Sequence, residues 1–219
     1  RLALQGTAGV TAEPIRFDNL SEQLKAVPPE ALLVVAGGDG TFSSVFGMSE
    51  AKGREVACVP LGTANDLARE FGISRRLRGA RYESYPSILA QLEFRRCAVW
   101  TAMADRREVP FINYLSIGYE GAVVRDFTAW RSRTAFRSRL ANRIAYTLFG
   151  IKHSFVRLHN LILTDGSGQS LACPKTTGII ITNIQSHLGM AISNGESEPG
   201  DETIESISVS NVLGFARMI

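Results

Sequence analysis

No uncharged apolar run in this chain approaches the roughly 20 residues a helix needs to cross a bilayer. The opening RLALQGTAGV also lacks the layout of a signal peptide. A membrane-spanning protein is therefore not expected, and the reading is of a soluble chain that at most touches a membrane surface. Cysteine is scarce: Cys58, Cys97 and Cys173 are odd in number and show no C-x-x-C spacing. Neither a disulfide framework nor a zinc site is expected, and a reducing, cytoplasmic setting fits best. Charge excess is lacking too. Lys plus Arg number 24 against 21 Asp plus Glu, a net of +3, too small for a nucleic-acid binder that works by bulk charge, so no nucleic-acid partner is expected. His153, His159 and His187 have no metal-ligand spacing and no acids placed to complete a triad, which leaves them structural roles. Repeats and low-complexity tracts are absent.

What the chain does carry is an ordinary globular composition. Its 219 residues are 45% hydrophobic, enough for one sizeable domain or two small ones and too apolar for disorder. The first third alternates short apolar runs, glycine-rich turns and helix-like stretches, the pattern of α/β units with parallel strands. A strand is predicted over 31–36 (ALLVVA), running into Gly37-Gly38-Asp39-Gly40-Thr41. A helix follows, because Phe42, Val45 and Phe46 stand at i, i+3 and i+4. The logic then repeats. Residues 56–59 read as a buried strand, Pro60-Leu61-Gly62-Thr63 as a turn, and a helix from Asn65 shows Leu67, Ala68 and Phe71 on one face before Gly72 closes it.

Residues 75–81, charged and containing a glycine, read as a surface loop at a candidate domain edge. Further strands are predicted over 94–103, 111–117, 155–164, 171–173, 177–182 and 204–209, with Asp165-Gly166 as a hairpin signal. A basic, helix-compatible stretch lies over 126–153. Met103, Met190 and Trp100 are expected in the core. The expectation is an α/β lobe over 1–87 and a mostly antiparallel β lobe over 88–219, with the cleft between them as the default site.

Two turns have physical reasons to meet a phosphate. In VVAGGDGT, glycines at a strand end let a nucleotide approach the backbone, N–H groups at the helix start face an anion, and Thr41 adds a hydroxyl. Asp39 would repel phosphates unless a divalent cation or water lies between, which implies magnesium. A GGDG turn is equally consistent with a tight turn that binds nothing. The second turn, Pro60 to Arg69, adds Gly62, Thr63, Asn65 and Asp66 at another strand end, and in an open α/β sheet both ends lie on one edge. Asn65 and Asp66 are also good helix caps, and on the turn alone that alternative is as strong.

GGDGT at 37–41 followed by PLGTANDLAR at 60–69 resembles the catalytic domain of the diacylglycerol kinases, shared with bacterial soluble lipid kinases, sphingosine kinases and ceramide kinases. GGDGT alone would also fit the NAD kinases and, loosely, the phosphofructokinases; PLGTANDLAR separates the lipid kinases from those. The resemblance continues into Phe111-Ile112-Asn113 with Gly118, Ile144-Ala145-Tyr146, Asn183, and 197–202 (SEPGDE), which is similar to the family's late S-P-x-D-G element. It implies a two-lobed kinase, an α/β N-terminal lobe with a parallel sheet and a mostly antiparallel β C-terminal lobe, with ATP between them and its γ-phosphate passing to a primary hydroxyl of a lipid. By that carry-over Gly37, Gly38, Gly40 and Thr41 sit at the phosphates and Gly62, Thr63 and Asn65 at the nucleotide. Asp39 and Asp66 belong to a water and Mg²⁺ network, with Asp39 counted among the catalytic residues. Asp201, from the second lobe, takes the proton of the lipid hydroxyl.

Three positions depart from the family pattern. Ser43-Ser44 stands where an Asn-Glu pair is common, Glu202 replaces the glycine after the late aspartate, and a glycine cluster after Asn183 is reduced to Gly189. The family's opening strand with its glycine-containing turn, and its closing strands, are not found at the chain ends, so a fragment or a reduced protein is expected. Between Arg125 and Arg157 lie eight basic residues, Arg131, Arg133, Arg137, Arg139 and Arg143 among them, with Asp126 the single acid and Trp130, Phe136, Tyr146 and Phe149 interleaved. Such a segment suits anionic lipid headgroups, each basic side chain contributing about 1 kcal/mol; a solvated helix face gives the same pattern. The reading is an ATP- and Mg²⁺-dependent lipid kinase peripheral to the inner face of a membrane. The competitors are a nucleotide- or lipid-binding regulator of the same fold and a soluble-substrate kinase such as an NAD kinase.

Overall fold

The computed structural model describes residues 14–16, 18–62, 64–135, 138–187, 191–192 and 197–209, with the side chains of residues 139, 187, 191 and 192 excepted. In chain order its elements are α1 (Leu20–Ala26), β1 (Leu33–Gly37), α2 (Asp39–Phe46), β2 (Val56–Pro60), α3 (Asp66–Glu70), α4 (Ile73–Arg76) and α5 (Tyr85–Leu89). There follow β3 (Trp100–Ala104), β4 (Arg107–Phe111), β5 (Tyr114–Gly118), α6 (Tyr119–Arg133), α7 (Arg139–Lys152), β6 (Leu158–Thr164), β7 (Ser170–Thr176), β8 (Gly178–Thr182), β9 (Ser186–His187), β10 (Ala191–Ile192) and β11 (Glu205–Val209).

The described residues fall into two compact units, one built from the chain up to Asn113 together with Asn183–Thr203, the other from Tyr114–Thr182 and the chain from Ile204 on. Each unit therefore draws on separated stretches of the chain. In the first unit β1 and β2 pair in parallel, Leu33 opposite Val56 through to Gly37 opposite Pro60. Helices α2 and α3 bring Phe42, Val45, Leu67 and Ala68 into one core cluster with Leu33, Val35, Ala57, Cys58 and Val59. Phe42 and Leu67 are completely buried, each worth about 1.5–3 kcal/mol relative to exposure. β1 alternates: Leu33 and Val35 point inward while Val34 is 39% exposed, so the all-apolar ALLVVA has one outward face. The expected loop at 75–81 begins as α4, because Ile73 enters the core directly after Gly72 turns the chain at φ +71°.

The predicted strand over 111–117 breaks in two. β4 ends at Phe111, β5 begins at Tyr114, and Ile112 and Asn113 between them are buried; it is here that the chain leaves the first unit. The antiparallel hairpin β3–β4 stays with the first unit. On its outer surface Met103 is 66% exposed, not in the core. Met190 lies outside the described residues.

The second unit holds a three-stranded antiparallel sheet in the order β11-β8-β5, the β6–β7 hairpin, and the helical pair α6 and α7. The hairpin turn is wider than two residues. Asp165 organises it by accepting from the Ser167 amide and hydroxyl and the Gln169 amide, which holds its carboxyl below the usual range.

Candidate active site

The two glycine loops meet. Register places Gly37 opposite Pro60, and the Leu61 amide donates to the Gly37 carbonyl at 2.8 Å. Beyond that bond the backbones of Gly38 and Gly62 touch: a Cβ on Gly62 would lie 2.5 Å from Gly38 Cα, and one on Gly38 would lie 3.0 Å from Gly62 Cα. These two glycines thus serve the approach of one loop to the other. Gly37 is covered by the side chain of Thr41, 2.6 Å from where its Cβ would stand, while Gly40, at the start of α2, is exposed and faces open space. Gly40 thus leaves bare backbone at the start of α2.

Asp39 fastens the loops. Its Oδ2 accepts from the Asp66 amide at 3.0 Å, and its Oδ1 from the Leu67 amide at 3.1 Å and Asn113 Nδ2 at 2.9 Å. The first turn of a helix leaves N–H groups without intrahelical partners, and a carboxylate is favoured there. Helix α3 is capped in this way from 27 residues upstream, because Asn65, at its N-cap position, makes no capping bond. Asn65 instead adopts φ 54°, ψ 48° and pairs with Gly62 in both directions, accepting from its amide and donating to its carbonyl, each at 2.8 Å. Asp66 is fully buried, with Oδ1 2.9 Å from Arg69 Nη1, while Arg69 Nη2 holds the Ala64 carbonyl at 3.0 Å.

The residues expected at Mg²⁺ are therefore engaged with the chain itself. A divalent ion of this size wants an open octahedron of oxygens, mostly water and phosphate with one or two carboxylates. Both oxygens of Asp39 already receive N–H donors, and the Asp66 carboxylate is enclosed with Arg69; they do not fit as direct ligands. Among the described residues no group of three or more His, Cys, Asp or Glu side chains forms a cation cage.

A second layer supports the first. Asn183, buried, donates from Nδ2 to the carbonyls of Ile112 (2.7 Å) and Ala98 (3.2 Å), accepts from Trp100 Nε1 at 2.8 Å, and gives its own amide to Asn113. Asn113 Oδ1 is buried with no hydrogen-bond partner among the described residues, so only the amide orientation that donates to Asp39 is useful. Sequence reasoning attached no role to Asn113. Its signals were a polar side chain in an otherwise apolar FIN and the place of that tripeptide in the family resemblance. Beneath the loops, burial pushes the Cys58 thiol up to about 12, with Cys97 and Asp39 adding to it, and Cys97 up to about 11. Neither is a nucleophile at neutral pH.

Asp201 lies in the compact unit that also holds the glycine loops. The turn carrying it is tied down where Pro199 accepts from the Ala98 amide at 2.6 Å. Its exposed carboxylate accepts from the Thr203 amide at 2.9 Å and hydroxyl at 2.7 Å, which together hold it below the usual carboxylate range. Glu202 beside it stands at φ +61°, the region that favours glycine. Ser44 donates to the Gly40 carbonyl at 2.9 Å. Thr63, Arg137 and Gly189 lie outside the described residues. Arg131 and Arg133 end α6, Arg139 opens α7 and Arg143 is exposed on it.

A family model described as the diacylglycerol kinase catalytic domain matches residues 7–89, and one described as the diacylglycerol kinase accessory domain matches residues 110–217. The chain belongs to the diacylglycerol kinase family. Human diacylglycerol kinase theta is 30% identical over 184 residues, 70% of this chain and 19% of that protein. Diacylglycerol kinase 2 of Arabidopsis thaliana is 28% identical over 185 residues, 72% of this chain and 26% of that one. The chain thus spans about a fifth to a quarter of these relatives. Among solved structures, a diacylglycerol kinase from Bacillus anthracis matches with a TM-score of 0.53 at 20% identity, covering 85% of this chain and 56% of that one. Another structure from that organism reaches 0.58 over 91% and 61%. The likeness at this identity is one of fold. In this diacylglycerol kinase-family chain the catalytic-domain model contains both glycine loops and the accessory-domain model contains Asn113, Asn183 and Asp201.

Proposed function

We propose that the chain transfers the γ-phosphoryl group of ATP to a primary hydroxyl of diacylglycerol or a related lipid, acting at an anionic membrane surface on the cytoplasmic side. The observation that carries this reading is the pair of loops fastened together at the carboxyl ends of two parallel strands, with Gly40 bare at the start of α2. Phosphate ligands bind at such strand ends, where backbone N–H groups and a helix start face the anion. In this reading Gly38, Gly40 and Thr41 meet the phosphates, and Gly62 and Thr63 flank the nucleotide. Asp39, Asn65 and Asn113 are positioning residues that hold the loops in register. Mg²⁺ bound with ATP would supply neutralisation of the phosphate charge.

Asp201 is the proposed base. Held below the usual range by the Thr203 amide and hydroxyl, it is ionised at neutral pH and able to accept the proton of the attacking hydroxyl. A loose phosphoryl-transfer transition state asks for positioning and charge neutralisation more than for a strong base. A second reading, a nucleotide-binding regulator without turnover, is favoured by one feature: the Asp201 lone pairs are already shared with Thr203, and the neighbouring glycine is replaced by Glu202.

The test is phosphate transfer from ATP to diacylglycerol, sphingosine or ceramide in mixed micelles, wild type beside Asp201→Asn. Phosphorylated lipid is expected, reduced on the order of 10²–10⁴-fold in the variant. Intact ATP binding with no transfer to any of these lipids would select the regulator.

A further inference from the structure

Helix α7 has two apolar faces and the fold uses only one. On the used side Ala145 is buried and the Tyr146 ring meets Phe127 of α6 edge-on at 5.5 Å. On the other, Leu140, Ile144, Leu148 and Ile151 are 69%, 52%, 60% and 65% exposed, and Phe155 just past the helix is 88% exposed. At 3.6 residues per turn the four helical side chains fall within an arc of about 80°. Arg143 and Lys152 flank that arc, about 60° beyond one edge and about 40° beyond the other.

We propose that this face of α7 lies in the surface of an anionic lipid bilayer, with Leu140, Ile144, Leu148, Ile151 and Phe155 embedded below the headgroups and the surrounding basic side chains at them. The proposal rests on the lipid-kinase reading and names where such an enzyme meets its substrate's phase. The charge pattern selects the occupant. Between Asp126 and Asp165 there is no acidic residue, while Arg131, Arg133, Arg137, Arg139, Arg143, Lys152 and Arg157 all fall in that span. Asp126 itself is already engaged by Lys152 Nζ at 2.6 Å and His153 Nε2 at 2.9 Å. An apolar stripe inside a field of one sign suits an anionic interface, where apolar burial and headgroup attraction add. Five exposed side chains are few beside the about 20–30 residues per side of a specific protein interface. No helix among the described residues is long and apolar enough to cross a membrane, and α7, at 14 residues, lies in the plane of the surface instead.

The test uses the full chain with vesicles of phosphatidylcholine and phosphatidylglycerol in equal parts and with phosphatidylcholine alone. Wild type is expected to float with the anionic vesicles. The double variant Ile144→Asp, Leu148→Asp, altered only at exposed positions, is expected to partition at least about tenfold more weakly with an unchanged circular dichroism spectrum. In a separate Leu148→Trp variant, emission from the introduced indole is expected to shift to the blue on vesicle addition and to be quenched by brominated lipid. Wild-type partitioning by the double variant, with the introduced indole still exposed to water, would overturn embedding and leave charge alone. A wild-type dimer that the double variant converts to monomer would assign the face to a second copy instead. Phosphorylation of a short-chain, monomeric diacylglycerol needs no bilayer and separates the two readings. Its loss in wild type removes the kinase reading, while the vesicle result alone decides the role of α7.

Discussion

Asp39 shows how one carboxylate can organise two loops. It receives two backbone amides of α3 and the Asn113 amide, so an amide at this position must present an NH₂ group to at least one of those donors. Asp39→Asn is expected to destabilise the protein by about 1–3 kcal/mol in urea unfolding, from a buried donor left without an acceptor and a charged hydrogen bond lost. An unchanged midpoint would place the cap elsewhere. Glu202, at φ +61°, gives a prediction of the opposite sign: Glu202→Gly is expected to stabilise by about 1 kcal/mol, since left-handed backbone costs a residue with a Cβ about that much. The sequence announced the glycine loops and both aspartates, because glycine spacing at strand ends is a local signal. That Asp39, and not Asn65, caps α3 was not legible, because it depends on the register between two strands 23 residues apart in the chain.

Single contacts also hold whole elements. Helix α1 is fastened by Glu50, which accepts from the Ser21 hydroxyl at 2.6 Å and lies 3.7 Å from Lys25. Arg54 meanwhile reaches the carbonyls of Leu24, Val27 and Pro28 at the helix end. The Ser21 bond is the largest cause of a Glu50 carboxyl held down at about 2. With the folded value depressed, this contribution is present above the ordinary Glu range near about 4.3 and is lost as pH falls from there through about 2. The stability gap between wild type and Ser21→Ala is therefore expected to be widest near neutral pH and to narrow steadily through that acid window. A gap independent of pH would assign the Ser21 effect to packing.

A helix-compatible stretch over 126–153 was legible, but its division between α6 and α7 was not, nor which face of α7 would stay bare, since that depends on how α6 packs against it. The charged composition of 75–81 likewise concealed a helical start, because two inward side chains four residues apart, Ile73 and Leu77, outweighed it.

At the scale of the molecule, parallel pairing in the first third and antiparallel pairing beyond it were legible from strand spacing and turn chemistry. The grouping was not, because residues 183–203 rejoin the first unit through tertiary bonds such as those of Asn183. That return gathers both glycine loops, Asn113 and Asp201 into one compact unit. In the proposed function, the contact between Gly38 and Gly62 shapes the ATP site. Calorimetric titration of ATP with magnesium into wild type and Gly62→Ala tests it most directly, because a methyl group there falls 2.5 Å from Gly38 Cα and must part the loops. The account predicts clear binding by wild type and at least about tenfold weaker binding by a folded Gly62→Ala; equal affinities, or no binding by wild type, would contradict it.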